Sequence, residues 1–284
     1  MRGQIPKGWQ YYNHAMIPTT APHEEVDLSP VVSGEIWNYR NGKEIPLFVT
    51  RISEWDCGYK TDWWYVICEG TFSLDNLSSS SRRNIRKALR NCRVERIDPS
   101  QYIEDLWRVF NEAIERYENY AIEKTKDAFS DHCRRNAADE EYWAGFDNNT
   151  GLMIGYAVFI VHDNWVKFDK SRYSTPYLKL RVSDAINAKA LDYYLNEMKK
   201  RYVSDGTRSI LHKTNFQKYL MEHFGYRKAY CKLHIRYRYS MRILVNFLIL
   251  FREYLRMFDG NAEIHRINGV LLMEEIVKKQ NVFL

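Results

Sequence analysis

Between Arg201 and Tyr237 the apolar residues change their spacing twice. Tyr202 to Ile210 is rich in β-forming residues and ends in a turn. Phe216, Tyr219, Leu220 and Phe224 then recur at helical spacing, which predicts a short amphipathic helix. Thr214 with Gln217 three residues later is a capping box for its start. Gly225 provides the C′ stop, where a left-handed backbone favours glycine. A second β-rich run, Tyr226 to Tyr237, follows at once, so the segment reads strand, helix, strand.

The same reading extends over the chain. Residues 1–62 are predicted to be an extension with little helix. A hairpin is expected at Asn41-Gly42, between Ile36–Arg40 and Ile45–Ile52, because Asn-Gly between β-like runs favours a tight turn. Trp63 to Phe72 reads as a strand, and Ser78 to Ser81 lead into a basic helix ending near Asn91. Asp98-Pro99 is expected to open a longer helix, with Pro at its first position and Gln101 closing a capping box. Its apolar stripe is Tyr102, Ile103, Leu106, Trp107, Phe110, Ala113, Ile114 and Tyr117, a face wide enough to pack on a sheet. Lys124 to Phe146 reads as a loop with a short helix over Glu140–Phe146. A hairpin follows, Leu152–His162 and Asn164–Ser174, and then a helix from Arg181 to Lys200 that is apolar at Val182, Ile186, Ala190, Tyr193, Tyr194 and Met198. The order β-α-α-β-β-α-β-α-β predicts a mixed α/β (α+β) fold, one twisted sheet with helices on both faces. Residues 63–239 would form that domain and residues 240–284 a helical tail, with Met241–Phe258 and Ala262–Lys279 as its two segments.

Composition narrows the classes. The 284 residues are 45% hydrophobic and 15% aromatic, enough for one packed core with a small satellite, and unlike a disordered chain. The net charge of +6, from 42 basic and 36 acidic residues, permits an anionic partner without requiring nucleic acid. Five dispersed cysteines, Cys57, Cys68, Cys92, Cys133 and Cys231, include no C-x-x-C and fit reduced thiols in a cytoplasmic protein. Eight histidines form no H-E-x-x-H, so no metal site is expected. The first sixteen residues lack the apolar core of a signal peptide. The longest apolar run, Ile243 to Phe251, is broken by Asn246 and falls short of the roughly 20 residues that span a bilayer.

Three motifs carry a family resemblance. A helix closing with Phe224-Gly225-Tyr226 into a strand resembles the C-terminal end of the GNAT acyltransferase fold. Leu77 to Asn91, LSSSSRRNIRKALRN, is similar to the Ser…Arg-x-x-Ile-Arg-Lys-Ala helix of Fem-type proteins, the branch that adds aminoacyl groups to cell-wall precursors. Tyr202-Val203-Ser204-Asp205-Gly206 is similar to the Tyr-Asp-x-Gly strand end of that branch. The resemblance covers roughly Val66 to Tyr237 and implies a GNAT-like domain with an acyl-CoA or aminoacyl-tRNA donor.

The resemblance also places a donor site. Its pyrophosphate would meet the helix start at Tyr177 to Ser183, the general anion site of a helix N-terminus. Lys167, Tyr177, Lys179, Arg181, Ser183 and Asn215 are the cofactor-binding candidates. The Arg/Gln-x-x-Gly-x-Gly/Ala signature of acetyl-CoA enzymes is absent there, a departure that favours the aminoacyl-tRNA branch. The usual tyrosine general acid is replaced by Met221, with Tyr219 the nearest substitute.

The residues themselves suggest further chemistry. Arg82, Arg83, Arg86, Lys87 and Arg90 crowd the start of a helix, where cations oppose the macrodipole. They read either as a site for phosphates (of CoA, a lipid-linked pyrophosphate or tRNA) or as a solvated face. Arg82, Arg83, Arg86 and Arg208 are the anion-binding candidates. Along Trp165–Ser174, strict alternation would put Trp165, Lys167, Asp169, Ser171 and Tyr173 on one face, either lining a cleft with Asp169 as general base or forming the wet side of an edge hairpin. Asp205 beside Gly206 reads either as a second base or as an Asp-Gly turn. Arg208, His212, Lys213 and Asn215 lie just beyond it.

The expected function is transfer of an acyl or aminoacyl group from acyl-CoA or aminoacyl-tRNA to an amine acceptor, a small molecule or envelope precursor, with Asp169, Asp205 and Tyr219 as catalytic candidates. The alternative is a catalytically degenerate scaffold of the same fold. The tail segment 241–258 reads either as a helix buried against protein or as a peripheral membrane contact.

Overall fold

The computed structural model describes residues 3–115, 125–135, 138–210 and 215–282. The chain begins with β1 (Trp9–Tyr12), β2 (Ala15–Pro18), α1 (Ser29–Val32), β3 (Phe48–Ser53) and β4 (Trp63–Glu69). Then come α2 (Ser79–Asn91), β5 (Cys92–Ile97), α3 (Ile103–Ile114) and α4 (Lys126–Arg135). Three consecutive strands follow, β6 (Glu140–Asp147), β7 (Met153–Val161) and β8 (Trp165–Tyr173). The chain continues through α5 (Val182–Leu191), β9 (Tyr202–Thr207), α6 (Phe216–His223) and β10 (Arg227–Tyr237). It ends in α7 (Tyr239–Leu248), α8 (Arg252–Arg256) and α9 (Ala262–Val282). This is the mixed α/β arrangement expected from the sequence.

Two compact units form. One comprises Met1–Tyr65, Thr207–Thr214 and Lys228–Leu284, and the other Val66–Gly206 and Asn215–Arg227.

In the second unit β5, β6, β7 and β8 are antiparallel neighbours in that order, and β9 lies parallel to β8. Leu106, Val109 and Phe110 of α3 and Phe129 and Cys133 of α4 pack with Tyr142, Ala144, Phe146, Met153, Tyr156 and Val158. On the opposite face Trp143 meets Tyr194, whose hydroxyl accepts from the indole N–H at 2.9 Å and donates to Glu141 at 2.8 Å. The expected helix over Glu140–Phe146 is therefore a strand. Its residues alternate between two buried faces, so apolar side chains fill both and the period of two is masked. Gly145 is required where β6 meets α5, because a Cβ there would lie 2.3 Å from Val182 Cγ2. Strand β5 was not anticipated; as an edge strand it carries exposed Arg93 and Arg96 and gives a weak apolar signal.

Helix starts follow their caps. Ser78 Oγ accepts from the Ser81 N–H at 3.1 Å, starting α2 as expected. Asp98 instead caps only a 3-10 turn, Pro99–Gln101, and α3 begins at Ile103 with Glu104 and Asp105 in its first turn. The long helix expected from Arg181 is α5 followed by a π-helical turn, Asp192–Glu197, with Met198 left exposed. Tyr117, and Thr214 of the expected capping box, lie outside the described residues.

In the first unit β1 and β2 form a hairpin that the sequence reading missed, turning at Asn13 and His14 with φ of 46° and 63°. Strand β2 pairs parallel with β3, and β3 pairs antiparallel with β10. The Asn41-Gly42 turn forms, with reciprocal backbone bonds between Asn41 and Glu44 of 3.0 and 2.9 Å, but its arms do not pair as strands. Glu35–Asn38 coils into a 3-10 helix that buries Ile36, and Phe48–Ser53 is claimed by β10. Val245 and Leu271 pack with Phe48 and Tyr237, and Arg252 is held by Glu275 at 3.1 Å and Asn268 at 2.8 Å. The tail is thus buried along one line only. Tyr239, Leu250 and Met257 are 82%, 77% and 77% exposed. Among the described residues no helix is long and apolar enough to cross a membrane.

Gly145→Ala is expected to destabilise the protein by about 1–3 kcal/mol in urea unfolding, through overpacking against Val182. Gly260→Ala, where an added Cβ meets nothing within 4 Å, is expected to stay within about 0.5 kcal/mol of the parent.

Candidate functional site

The site builds from the place where two parallel strands part. Strand β8 pairs with β9 only at Trp165↔Tyr202, Val166↔Val203 and Lys167↔Ser204, although β8 continues to Tyr173 and β9 to Thr207. A bulge sits just past the last pair. Phe168 faces Phe159 across the β7 ladder while Lys170 faces Val158, so Asp169 is one residue too many.

The bulge overturns the alternation expected for β8. Phe168, before it, packs against Phe216 of α6, with ring centres 5.2 Å apart. Tyr173, after it, lies on the α5 side, beside Gly155 and Val182. Lys170 and Arg172 turn to the face of α3 and α4, where the Arg172 guanidinium lies 5.7 Å from the Phe110 ring centre. Lys167, Asp169, Ser171 and Tyr173 therefore do not share one face.

The carboxylates near the parting differ in environment. At Asp169, burial alone would favour the neutral acid, but Lys167 Nζ at 2.8 Å and Lys170 Nζ at 3.6 Å hold it below the usual carboxylate range. A carboxylate kept ionised between two ammonium groups is a weak base. At Asp205 burial prevails: the carboxyl is pushed up to about 7, against the opposing hydrogen bond from Gln217 and charge of Lys167. Its backbone setting is fixed by Gly206 at φ 84°, whose N–H donates to Ser204 Oγ at 3.0 Å. A carboxyl titrating near neutrality is suited to take a proton from an ammonium group.

The start of α5 carries its own anion. Asp184, 3% exposed, accepts from Arg181 Nε at 2.6 Å and from the Tyr219 hydroxyl. Tyr219 also reaches Ser183 Oγ at 3.3 Å, and burial with the Asp184 charge pushes its pKa far above the usual tyrosine range. Arg181 holds a left-handed backbone, φ 62°, at the position preceding the helix. Where the family resemblance places a donor pyrophosphate, an internal carboxylate already complements the helix N-terminus.

The other candidates are more dispersed. Tyr177 and Lys179 lie on the 3-10 turn Thr175–Leu180, with Lys179 exposed. Asn215 precedes α6 without a side-chain capping bond. Arg208 belongs to the first unit, where it donates to Asp62 O at 2.8 Å and lies 4.8 Å over the Trp64 ring. His212 and Lys213 lie outside the described residues. On α2, Arg82 pairs with Asp75 at 3.7 Å. Arg83, Arg86, Lys87 and Arg90 are exposed at i, i+3, i+4 and i+7, forming one stripe with no ion pair among the described residues. The sequence reading missed two participants, Asp184 and the carboxamide of Gln217. Arg181 three residues before Asp184 at a helix start was the available signal for the first.

No protein-family model matches the sequence, and no curated protein matches it either. Among solved structures the chain is similar to the C-terminal domain (DUF2156) of a putative lysylphosphatidylglycerol synthetase from Agrobacterium fabrum, at 10% identity and TM-score 0.51, over 86% of this chain and 84% of that one. It is also similar to L-PGS from Bacillus licheniformis, at 12% identity and TM-score 0.49, over 86% and 84%. FemX matches at 9% identity and TM-score 0.47, over 59% of each chain. The first of these likenesses shows a shared fold.

Because the Asp205 pKa is raised from 3.8 to about 7, the folded state binds its proton more tightly than the unfolded chain. Stability from this group is fully present below the unfolded value and is lost as pH rises through about 7. Asp205→Asn is therefore expected to gain on the parent by about 2–3 kcal/mol between pH 5 and pH 8 in urea unfolding. An unchanged gap would show that Asp205 titrates normally.

Proposed function

We propose that the chain transfers an acyl or aminoacyl group from an activated carbonyl donor to an amine acceptor, with Asp205 as general base. The observation that carries this reading is a carboxyl titrating near 7 at the end of the strand that parts from β8. An acceptor arriving as an ammonium ion gives its proton to Asp205. The freed amine attacks the carbonyl carbon, and the tetrahedral oxyanion collapses with loss of the donor's hydroxyl or thiol, which takes up a proton. Beyond Lys167 and Ser204 the facing edges of β8 and β9 no longer pair with each other, which supports main-chain N–H groups there as donors to the oxyanion.

Two observations favour an aminoacyl-tRNA donor over acyl-CoA. Asp184 occupies the electrostatic role that a pyrophosphate would take at α5. The exposed stripe of Arg83, Arg86, Lys87 and Arg90, with no ion pair among the described residues, suits a phosphate backbone, which binds through several cations at once. The acceptor class is an amine on a small molecule or envelope precursor. A scaffold without turnover is the second reading, favoured by the locking of the Tyr219 proton on Asp184.

Purified protein with radiolabelled aminoacyl-tRNA or acetyl-CoA and a panel of amines separates these readings. Transfer is expected from the charged tRNA, with kcat/KM rising as pH rises through about 7. Asp205→Asn is expected to lower kcat by about 10²–10⁴-fold. Full activity in that variant removes Asp205 as the base, and failure of both donors to bind in calorimetry leaves the scaffold.

A lipid surface is the partner proposed for the tail. Tyr239, Ile243, Phe247, Leu250, Tyr254 and Met257 follow at helical intervals and are all exposed, with Arg242 and Arg256 exposed beside them. Aromatic and aliphatic residues with basic neighbours suit an interfacial helix. The protein is expected to float with phosphatidylglycerol vesicles, and Leu250→Glu with Met257→Glu to abolish this. A parent that stays with the unbound fraction, or that dimerises through this stripe in light scattering, removes the lipid reading.

A further inference from the structure

On the face of β6, β7 and β8 that carries α3 and α4 lies a cavity of about 210 Å³, walled by Phe110, Phe129, Tyr142 and Tyr156 and edged by His132, Lys170 and Arg172. The three basic groups are not equivalent. His132 Nε2 lies 3.3 Å from Glu140, and Lys170 lies 3.6 Å from Asp169. Arg172 has no carboxylate partner among the described residues. Its Nη1 donates to Ser171 O at 2.7 Å, while its Nε is buried without a hydrogen-bond partner. The Phe110 ring at 5.7 Å supplies only weak compensation. Arg172 is half-buried, and a guanidinium Nε shielded from water with its donor unused is costly to keep unless something completes it.

We propose that this cavity binds a small monoanionic carboxylate with an aromatic or flat apolar body. The carboxylate oxygens match the guanidinium fork, which forms parallel N–H···O bonds with planar anions. Of the three basic groups at the edge, only Arg172 has no carboxylate partner among the described residues, which suits a ligand with one negative charge. The volume exceeds that of cavities of about 150 Å³ known to hold benzene, leaving room for one ring with its carboxylate. The bulge at Asp169 makes the site, because it turns Arg172 to the α3 and α4 face. The inference does not depend on the transferase reading.

Calorimetry on the full chain with benzoate and with neutral, near-isosteric benzamide tests it. Benzoate is expected to bind at least about tenfold more tightly than benzamide, a ratio set by the charge on Arg172. Arg172→Gln is expected to bring the two within about twofold without lowering Tm in the absence of ligand, since it removes a half-buried cation whose Nε has no hydrogen-bond partner. Phe129→Trp, which fills the cavity, is expected to abolish benzoate binding. Absence of benzoate binding at millimolar concentrations overturns the proposal. Equal binding of benzoate and benzamide to the parent does so too, as does a benzoate preference that survives Arg172→Gln. The comparison on the parent decides the matter even if a variant fails to fold.

Discussion

The second unit depends on one local constraint, the extra residue at Asp169 in β8. A sheet has a side-chain period of two, so inserting one residue exchanges the faces of everything beyond it. Upstream of the bulge the strand pairs with β9; downstream the two part. The same insertion sends Tyr173 toward α5 and Arg172 toward α3 and α4. The parting beside Asp205 and the cation in the aromatic cavity both follow from it.

Three aspartates then show how environment assigns chemistry to one residue type. Asp169 stays ionised between Lys167 and Lys170. Asp184, equally a carboxylate, is spent on the start of α5 with Arg181 and Tyr219 as its partners. At Asp205 burial outweighs the hydrogen bond from Gln217 and the charge of Lys167 and raises the carboxyl to about 7. Desolvation disfavours a charge unless an opposite charge or enough hydrogen bonds replace the lost water; at Asp169 the replacement suffices and at Asp205 it falls short. Three buried cysteines contrast with these groups; burial pushes the Cys68 and Cys231 thiols up to about 12 and the Cys92 thiol to about 11, which makes them inert packing groups.

Local signals carried much of the architecture. The serine-led start of α2, the β7–β8 hairpin and the Phe224-Gly225-Tyr226 stop were legible because each rests on neighbours within a few positions. The β6 segment was read as a helix because both of its faces are buried, which erases the alternation that marks a strand. The Asn41-Gly42 turn was right and its hairpin wrong, since a turn is local whereas the choice of β10 as partner for β3 joins residues far apart in the chain.

By itself, then, the sequence determined the class of fold, most helix positions, the basic stripe on α2 and the candidacy of Asp205, because composition, caps and periodicity act over short distances. The tertiary structure alone decided which carboxylate is protonated near neutrality, that Tyr219 bonds to Asp184, that Arg172 lacks an acidic partner, and that one side of the tail stays exposed. Those outcomes turn on desolvation and on partners brought together by folding. A one-residue bulge, which no local propensity announces, changes both.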